Sequence, residues 1–599
     1  MGKITDRLKQ LRILMEREGM DMYLVPTADF HQSEFVGEYF SARAYMSGFS
    51  GSAGVLLVEK EAAHLWVDGR YFVQAEKELE GSTIQLMKMG EEGVPSLEDF
   101  IIQEMPQKGC LGVDGRVIAA RQGVRLEQLL QEKGAHLSVK KDLVGEIWKD
   151  RSEISKKQAF LLDVKYAGES RQDKIAWLRE EMRKEHADVH VLTSLDDIAW
   201  LLNIRGRDIP CNPVVLSYLV LTQTELAFFV HKEAMGEKVT KEFTKEGITV
   251  YPYDEVYHYV NQMPEGSKVL LDTYIVNYAL MRAIRPDCEV KHRKNPTTIK
   301  KAVKNPVEQE NVRIAHLKDA KAMCRFIYWL KTHVEKETIT EMQAAEYVNQ
   351  LRLDDPDCHD VGFTTIAAYG PNAAMCHYHP TAEDCAVIEP KGLFLLDSGG
   401  QYWQGTTDVT RTIVVGDLTQ EEKESFTLVL QGHIRLAMTK FLYGTCGNVL
   451  DYAARSPLWE RGLDFKHGTG HGVGYFLNVH EGPNNFRHRL PENKEDLVPL
   501  EAGMLTSNEP GLYIEGKYGI RTENLVFCQN AEKNEFGQFM ELETVTFVPI
   551  DRDAILPEML SSKELAWLNE YHRQVYEKVA PLVNEEERQW LKEATAEIK

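Results

Sequence analysis

The sequence predicts a multidomain protein of the α/β and α+β classes, with two related α/β domains followed by a longer third domain that holds the chemistry. Three observations carry this expectation. At 599 residues the chain exceeds what one hydrophobic core organises, so several domains are required. A weak internal repeat sets Leu11 against Leu178, Met15 against Met182, Glu18 against Glu185, Asp21 against Asp188 and Asp29 against Asp196. Finally, five side chains able to ligate a metal follow one another on separate segments of the last third.

In both copies of the repeat an amphipathic helix (RLKQLRILMEREG; KIAWLREEMRKE) leads into an apolar strand (MYLVPT; VHVLTS). The first copy continues through YMSGFSGSAGVLLV and HLWVDGRYF and the second through IAWLLNIRG and VVLSYLVLT, all read as strands with turns. Charged sequence around WKDRSEISKKQ separates the copies, and KHRKNPTTIKKAVKNPVEQEN closes the second, which gives domains at 1–157 and 158–305. The third spans 306–599. Pro306 suits the first turn of a helix, with Glu308 and Glu310 at its favourable end and Ile314, Leu317, Met323, Ile327 and Leu330 on one side. From about residue 546 the chain turns polar and helical, a C-terminal extension.

Composition excludes several classes. With 43% hydrophobic and 27% charged residues this is an ordinary globular chain. A net charge of −22 argues against nucleic acid, whose recognition needs clustered Lys and Arg to displace counterions. The N-terminal segment is charged throughout and so lacks the apolar core of a signal peptide, and an apolar run long enough to span a membrane is missing. The nine cysteines are odd in number and form no C-x-x-C pair, which fits a reducing cytoplasm better than a disulfide scaffold or structural zinc.

The chemistry lies in Asp397 (LFLLDSGG), Asp408 (GTTDVTRT), His471 (HGTGHGVG), Glu509 (TSNEPGLY) and Glu523 (GIRTENLV). Four carboxylates and one imidazole suit two hard or borderline divalent cations with a water activated between them. Asp397 follows four apolar residues, where a buried carboxylate is costly without compensation, and a strand–turn–strand pattern returns Asp408 to its neighbourhood. His467 and His471 have the i, i+4 spacing of a zincin helix, but glycines at 468, 470, 472 and 474 oppose a helix there and instead allow close backbone approach. No Lys-Ser or Lys-Thr follows to make this a phosphate loop. Arg521 lies two residues before Glu523 and so on the same strand face, where it could orient a carboxylate, bind substrate or form a plain ion pair. Cys376 and His377 point to opposite faces of an extended segment and cannot act as a dyad, which leaves His377 as a candidate donor to substrate.

In the order of these residues and in the surroundings GTTDVTRT, GHGVGYFLNVHEGP and GIRTEN, the chain resembles the M24 metallopeptidases of the pita-bread (creatinase/aminopeptidase) fold, most of all the long, three-domain Xaa-Pro aminopeptidases. FSGSAG, VDGRYF and SLDDIAWLLNIRG extend the resemblance into the first two domains. It implies a dinuclear site, usually manganese, ligated by Asp397, Asp408, His471, Glu509 and Glu523. Asp408 and Glu523 would bridge the metals, and Glu509 would also accept a proton from the bridging water, whose hydroxide attacks the peptide. His377 and His480 would hydrogen-bond the substrate carbonyl and the developing tetrahedral intermediate, while His467 would help form the proline pocket. The implied substrates are peptides beginning Xaa-Pro, and the implied state is a cytoplasmic homodimer. Proline in second position makes a tertiary amide without an N–H, so a dedicated pocket is needed. The alternatives within the fold are prolidase, methionine aminopeptidase and metal-free creatinase. Outside enzymes, a non-catalytic pita-bread binding protein would show loss of ligands, and all five are present.

Overall fold

A computed structural model describes residues 2–382, 384–491 and 496–599. The chain forms two compact units, Met1–Asp163 with Glu169–Thr297, and Val164–Gly168 with Thr298–Lys599.

The first unit contains two six-stranded sheets with the same plan. In the first, taken in chain order, the strands are Met22–Pro26, Val55–Glu59, Ala63–Val67, Gln85–Lys88, Cys110–Gly112 and His136–Ser138; in the second they are Val189–Leu192, Ser217–Thr222, Leu226–Val230, Thr249–Pro252, Lys268–Leu271 and Glu289–His292. Both run fourth, third, second, first, fifth, sixth across the sheet, antiparallel from first to second to third and parallel at the other three pairings. Three of the repeat pairs occupy equivalent places, whereas Asp29 lies in a loop and Asp196 in the first turn of helix Leu195–Leu201. Leu11 and Met15 of helix Gly2–Glu18, and Leu178 and Met182 of helix Arg171–Lys184, are all buried. Asp21 and Asp188 each precede a first strand. Their Oδ2 atoms accept the N–H of Cys110 and of Lys268, at 2.9 Å in both, so each acid joins first strand to fifth.

Two segments read as strands are helices in part. Tyr45 and Met46 of the YMSGFSG segment lie in helix Ala42–Ser47, which ends at Gly48 in the left-handed region (φ 76°). Leu195–Leu201 is also a helix, because the Ser194 side chain caps it by accepting from Asp197 N–H and two aspartates occupy its first turn. Local capping outweighed the apolar run.

The second unit opens with helix Pro306–His333. Asn305 and Glu308 form a capping box around Pro306. Met323, Ile327 and Leu330 are buried, but Ile314 is exposed, because the N-terminal half of the helix turns that side outward. The main core gathers these residues with Phe394, Leu396, Ile413, Phe426, Val429, Ile434, Leu568 and Val575. A three-stranded antiparallel sheet (Ile366–Tyr369, Leu393–Ser398, Val409–Val414) and a six-stranded one (Phe441–Leu442, Gly537–Thr544, Asn524–Asn534, Leu505–Asn508, Gly470–Gly472, Glu481–Phe486, in spatial order) supply the strands of the site. The polar C-terminal segment contains helices Ser562–Val579 and Glu585–Ala594.

Candidate metal centre

Strand Leu393–Ser398 is buried throughout and paired on both edges. By alternation Leu395 and Asp397 share a face. Leu395 packs against Ile366, Ala368 and Tyr378, and Asp397 emerges at the end of that row. The connection to Asp408 is more than a simple turn, since Gly400–Tyr402 and Gly405–Thr406 form a small sheet with Cys358–Val361. Strand Val409–Val414 then runs back along Leu393–Ser398, with Asp397 opposite Thr410, which returns Asp408 to Asp397.

His471 sits on Gly470–Gly472. A Cβ on Gly470 would lie 1.9 Å from Ser507 O, and one on Gly472 2.1 Å from Glu481 O, so the neighbouring strands approach too closely for side chains. His471 Nδ1 faces the Gly472 carbonyl at 2.9 Å. A carbonyl only accepts, so Nδ1 carries a proton and Nε2 is the ring atom that faces Asp408 Oδ2 (3.4 Å) and Glu509 Oε1 (3.5 Å). The His471 N–H donates to Ser507 Oγ at 2.9 Å, and that hydroxyl donates to Glu509 Oε1 at 3.2 Å. Glu523 Oε2 accepts from the Thr410 hydroxyl at 2.8 Å.

Asp397 Oδ2 accepts from Arg521 Nη2 at 2.5 Å, while Asp397 Oδ1 and Asp408 Oδ1 are buried without a hydrogen-bond partner among the described residues. Burial first, then the charges of Asp397 and Glu509, push the Asp408 carboxyl well above the usual carboxylate range. Burial likewise raises Glu523, followed by Asp408, Asp397 and Glu509. Ligand atoms of Asp408, His471 and Glu523 lie within 4.8 Å of one another. Lone pairs facing lone pairs in a buried site call for cations, and hard oxygen donors with one imidazole suit divalent metal.

The remaining residues connect to this centre through Arg521 or His471. Arg521 orients a carboxylate, Asp397. His467 Nδ1 donates to Gly468 O (2.7 Å), so its Nε2 accepts from the Tyr513 hydroxyl (2.8 Å), whose oxygen in turn accepts from Arg521 Nη1 (2.6 Å). A chain Asp397–Arg521–Tyr513–His467 results. Sequence reasoning missed Tyr513; its one signal is Gly511, whose added Cβ would lie 2.6 Å from the Tyr513 hydroxyl. The His480 ring stands nearly perpendicular to that of His471, with centroids 4.3 Å apart. Its neighbour Glu481 is held by two buried lysines, Lys304 (2.5 Å) and Lys301 (3.1 Å), which carried no signal in the sequence. His377 is half-buried in the turn after Gly370–Ala374, and Arg521 Nη2 lies 3.4 Å from the carbonyl of the preceding Cys376.

Comparison with known proteins places this geometry in context. Residues 7–145 and 150–308 each match a creatinase/prolidase N-terminal domain, residues 310–530 match metallopeptidase family M24, and residues 538–598 match the C-terminal region of peptidase M24. A probable Xaa-Pro aminopeptidase P from Laccaria bicolor is 40% identical over 98% of this chain and 92% of its own length. Aminopeptidase P2 of Arabidopsis thaliana is 38% identical over 98% of this chain and 88% of its own. The crystal structure of X-prolyl aminopeptidase from Caenorhabditis elegans, a cytosolic enzyme with a di-nuclear active site, superposes with a TM-score of 0.94 at 35% identity, covering 99% of this chain and 100% of that one.

Proposed function

The chain belongs to metallopeptidase family M24, and from that premise we propose that it is an Xaa-Pro aminopeptidase, releasing the first residue of peptides whose second residue is proline. The observation that carries the reading is the convergence of Asp397, Asp408, His471, Glu509 and Glu523 in a chain similar from end to end to relatives of that name.

These five residues would hold two divalent ions, and the preponderance of carboxylate oxygen favours Mn²⁺. Such ions polarise the scissile carbonyl and lower the pKa of water. The residues have distinct tasks around that chemistry. Glu509 accepts the proton of the attacking water, held in place by the Ser507 hydroxyl. His480 and His377 donate to the substrate carbonyl as negative charge develops there. His467, fixed by Tyr513 and Gly468, borders the proline ring, and Arg521 holds Asp397 in its ligating orientation.

We take the chain as three domains, 1–157, 158–305 and 306–599, on the strength of its repeat and of the helix that opens at Pro306. A homodimer is supported by the apolar residues Val449, Tyr452 and Trp459, exposed on helix Gly447–Trp459. A cytoplasmic location is supported by the scattered free cysteines and by the cytosolic nematode relative.

The test compares Arg-Pro-Pro, Arg-Ala-Pro and Arg-Pro in the presence of Mn²⁺ and after chelation. Release of arginine from Arg-Pro-Pro alone, dependent on metal, is the expected result. Equal cleavage of the alanine peptide removes proline specificity, and a preference for the dipeptide makes the protein a prolidase.

A further inference from the structure

A buried histidine joins the two strands whose ends are flanked by Glu509 and Glu523. Strands Leu505–Asn508 and Asn524–Asn534 are antiparallel neighbours with Asn508 opposite Asn524. Each asparagine is adjacent in sequence to a candidate ligand, so a contact that holds the asparagines fixes the backbone next to both glutamates.

His433, fully buried on helix Gln420–Ala437, reaches both strands. Its Nδ1 lies 3.1 Å from Asn508 O, its Nε2 lies 3.1 Å from Asn524 Nδ2, and its own carbonyl accepts from Asn508 Nδ2 at 2.9 Å. The proton positions follow from groups that can only donate or only accept. Arg411 Nη2 donates to Asn524 Oδ1 at 2.8 Å, which turns the amide NH₂ of Asn524 toward the imidazole. His433 Nε2 is therefore the acceptor, and Nδ1 carries the proton given to the Asn508 carbonyl. Arg411 also donates to the Glu523 carbonyl at 2.6 Å, so the same hub fixes the backbone of a ligand. Trp567 of helix Ser562–Val579 stands edge-on to the imidazole at 6.1 Å, adding to its enclosure. Burial and the charge of Arg411 push the His433 pKa down to about 3, which keeps the ring neutral and this pattern intact.

We propose that His433 is a positioning residue for the metal centre: its imidazole brackets Asn508 and Asn524 and so sets the separation at which Glu509 and Glu523 present their carboxylates. The proposal rests on the reading of those two glutamates as ligands. Outer partners of this kind typically tune metal affinity by about 10–100-fold when removed.

The experiment titrates metal-free, full-length protein with Mn²⁺ by calorimetry, following fold by circular dichroism. His433→Phe keeps a flat ring but loses both hydrogen bonds, and should bind Mn²⁺ about 10–100-fold more weakly while remaining folded. His433→Gln can donate and accept again, and should return affinity close to the wild type. A folded His433→Phe protein with wild-type Mn²⁺ affinity overturns the proposal, as does failure of His433→Gln to improve on His433→Phe. Should His433→Phe not fold, Asn524→Leu removes the same contact from the strand side and decides the matter by the same measurement. Unchanged Mn²⁺ binding in Glu523→Ala would show instead that the ligand assignment had failed, whatever the histidine does.

Discussion

Asp208 in the first unit and Asp408 in the second are equally buried, each 4% exposed, yet their surroundings are opposite. Asp208 is satisfied by donors alone: Oδ1 accepts from the Ser155 hydroxyl (2.6 Å) and Lys157 N–H (2.9 Å), and Oδ2 from Leu216 N–H (2.8 Å). Asp272 in the same unit also receives backbone N–H groups, from Tyr274 and Asn295. Asp408 instead faces Asp397, Glu509 and Glu523, and one of its oxygens has no donor among the described residues. The first arrangement is complete as it stands and serves the fold. The second calls for added positive charge, so the same side chain at the same depth is satisfied by the fold in one unit and is a candidate ligand in the other.

Substitutions can break this contrast, and the largest effect falls on Asp408. Asp408→Asn removes a charge that the cations require, so kcat/KM should fall by more than about 10³-fold, beyond the loss of a single oxyanion donor. Metal analysis should show reduced Mn²⁺ content in that variant. A protein that stayed active after chelation would remove the basis of the contrast altogether.

The paired histidines sharpen it next. His471→Ala should lose metal and rate together, whereas His480→Ala should keep its Mn²⁺ while kcat drops by about 10²–10³-fold. Equal metal loss in both would show that their division of work is wrong.

Glu481→Gln removes in the second unit the carboxylate that two buried ammonium groups share. It leaves Lys301 and Lys304 buried without their carboxylate and should destabilise the protein by about 3 kcal/mol in urea unfolding. A loss below 1 kcal/mol would mean that water reaches the lysines.

The smallest effect belongs to Asp208. Asp208→Ala strands the Leu216 and Lys157 N–H groups and should cost about 2 kcal/mol of stability, read by urea unfolding. Mn²⁺ stoichiometry and kcat should be unchanged. Reduced metal content here would make the two aspartates less different than their donors imply.

Some of this was open to a reader of the sequence because it rests on local rules. The helix-then-strand repeat, the buried Leu11/Leu178 and Met15/Met182 pairs and the helix that opens at Pro306 follow from periodicity and from residue preferences within the first turn. The same locality explains the errors. The short helix at Leu195–Leu201 owes its existence to Ser194 and its aspartates, which outweigh the apolar run that reads as a strand. Ile314 fits the helical stripe but meets solvent, because a stripe says which residues share a side and not whether anything covers it.

The sequence by itself determined the two-fold repeat, the succession of acids and histidines, and the resemblance those motifs carry, since each depends on residue identity and short spacing. Tertiary structure alone decided that Arg521 serves Asp397 rather than Glu523, that Tyr513 links it to His467, that His433 and Arg411 reach Asn508 and the Glu523 carbonyl, and that two buried lysines hold Glu481. These contacts join residues from 8 to 177 positions apart. Their chemistry is ordinary, and what makes each one matter is the burial that leaves a polar group no partner but the one the fold brings to it.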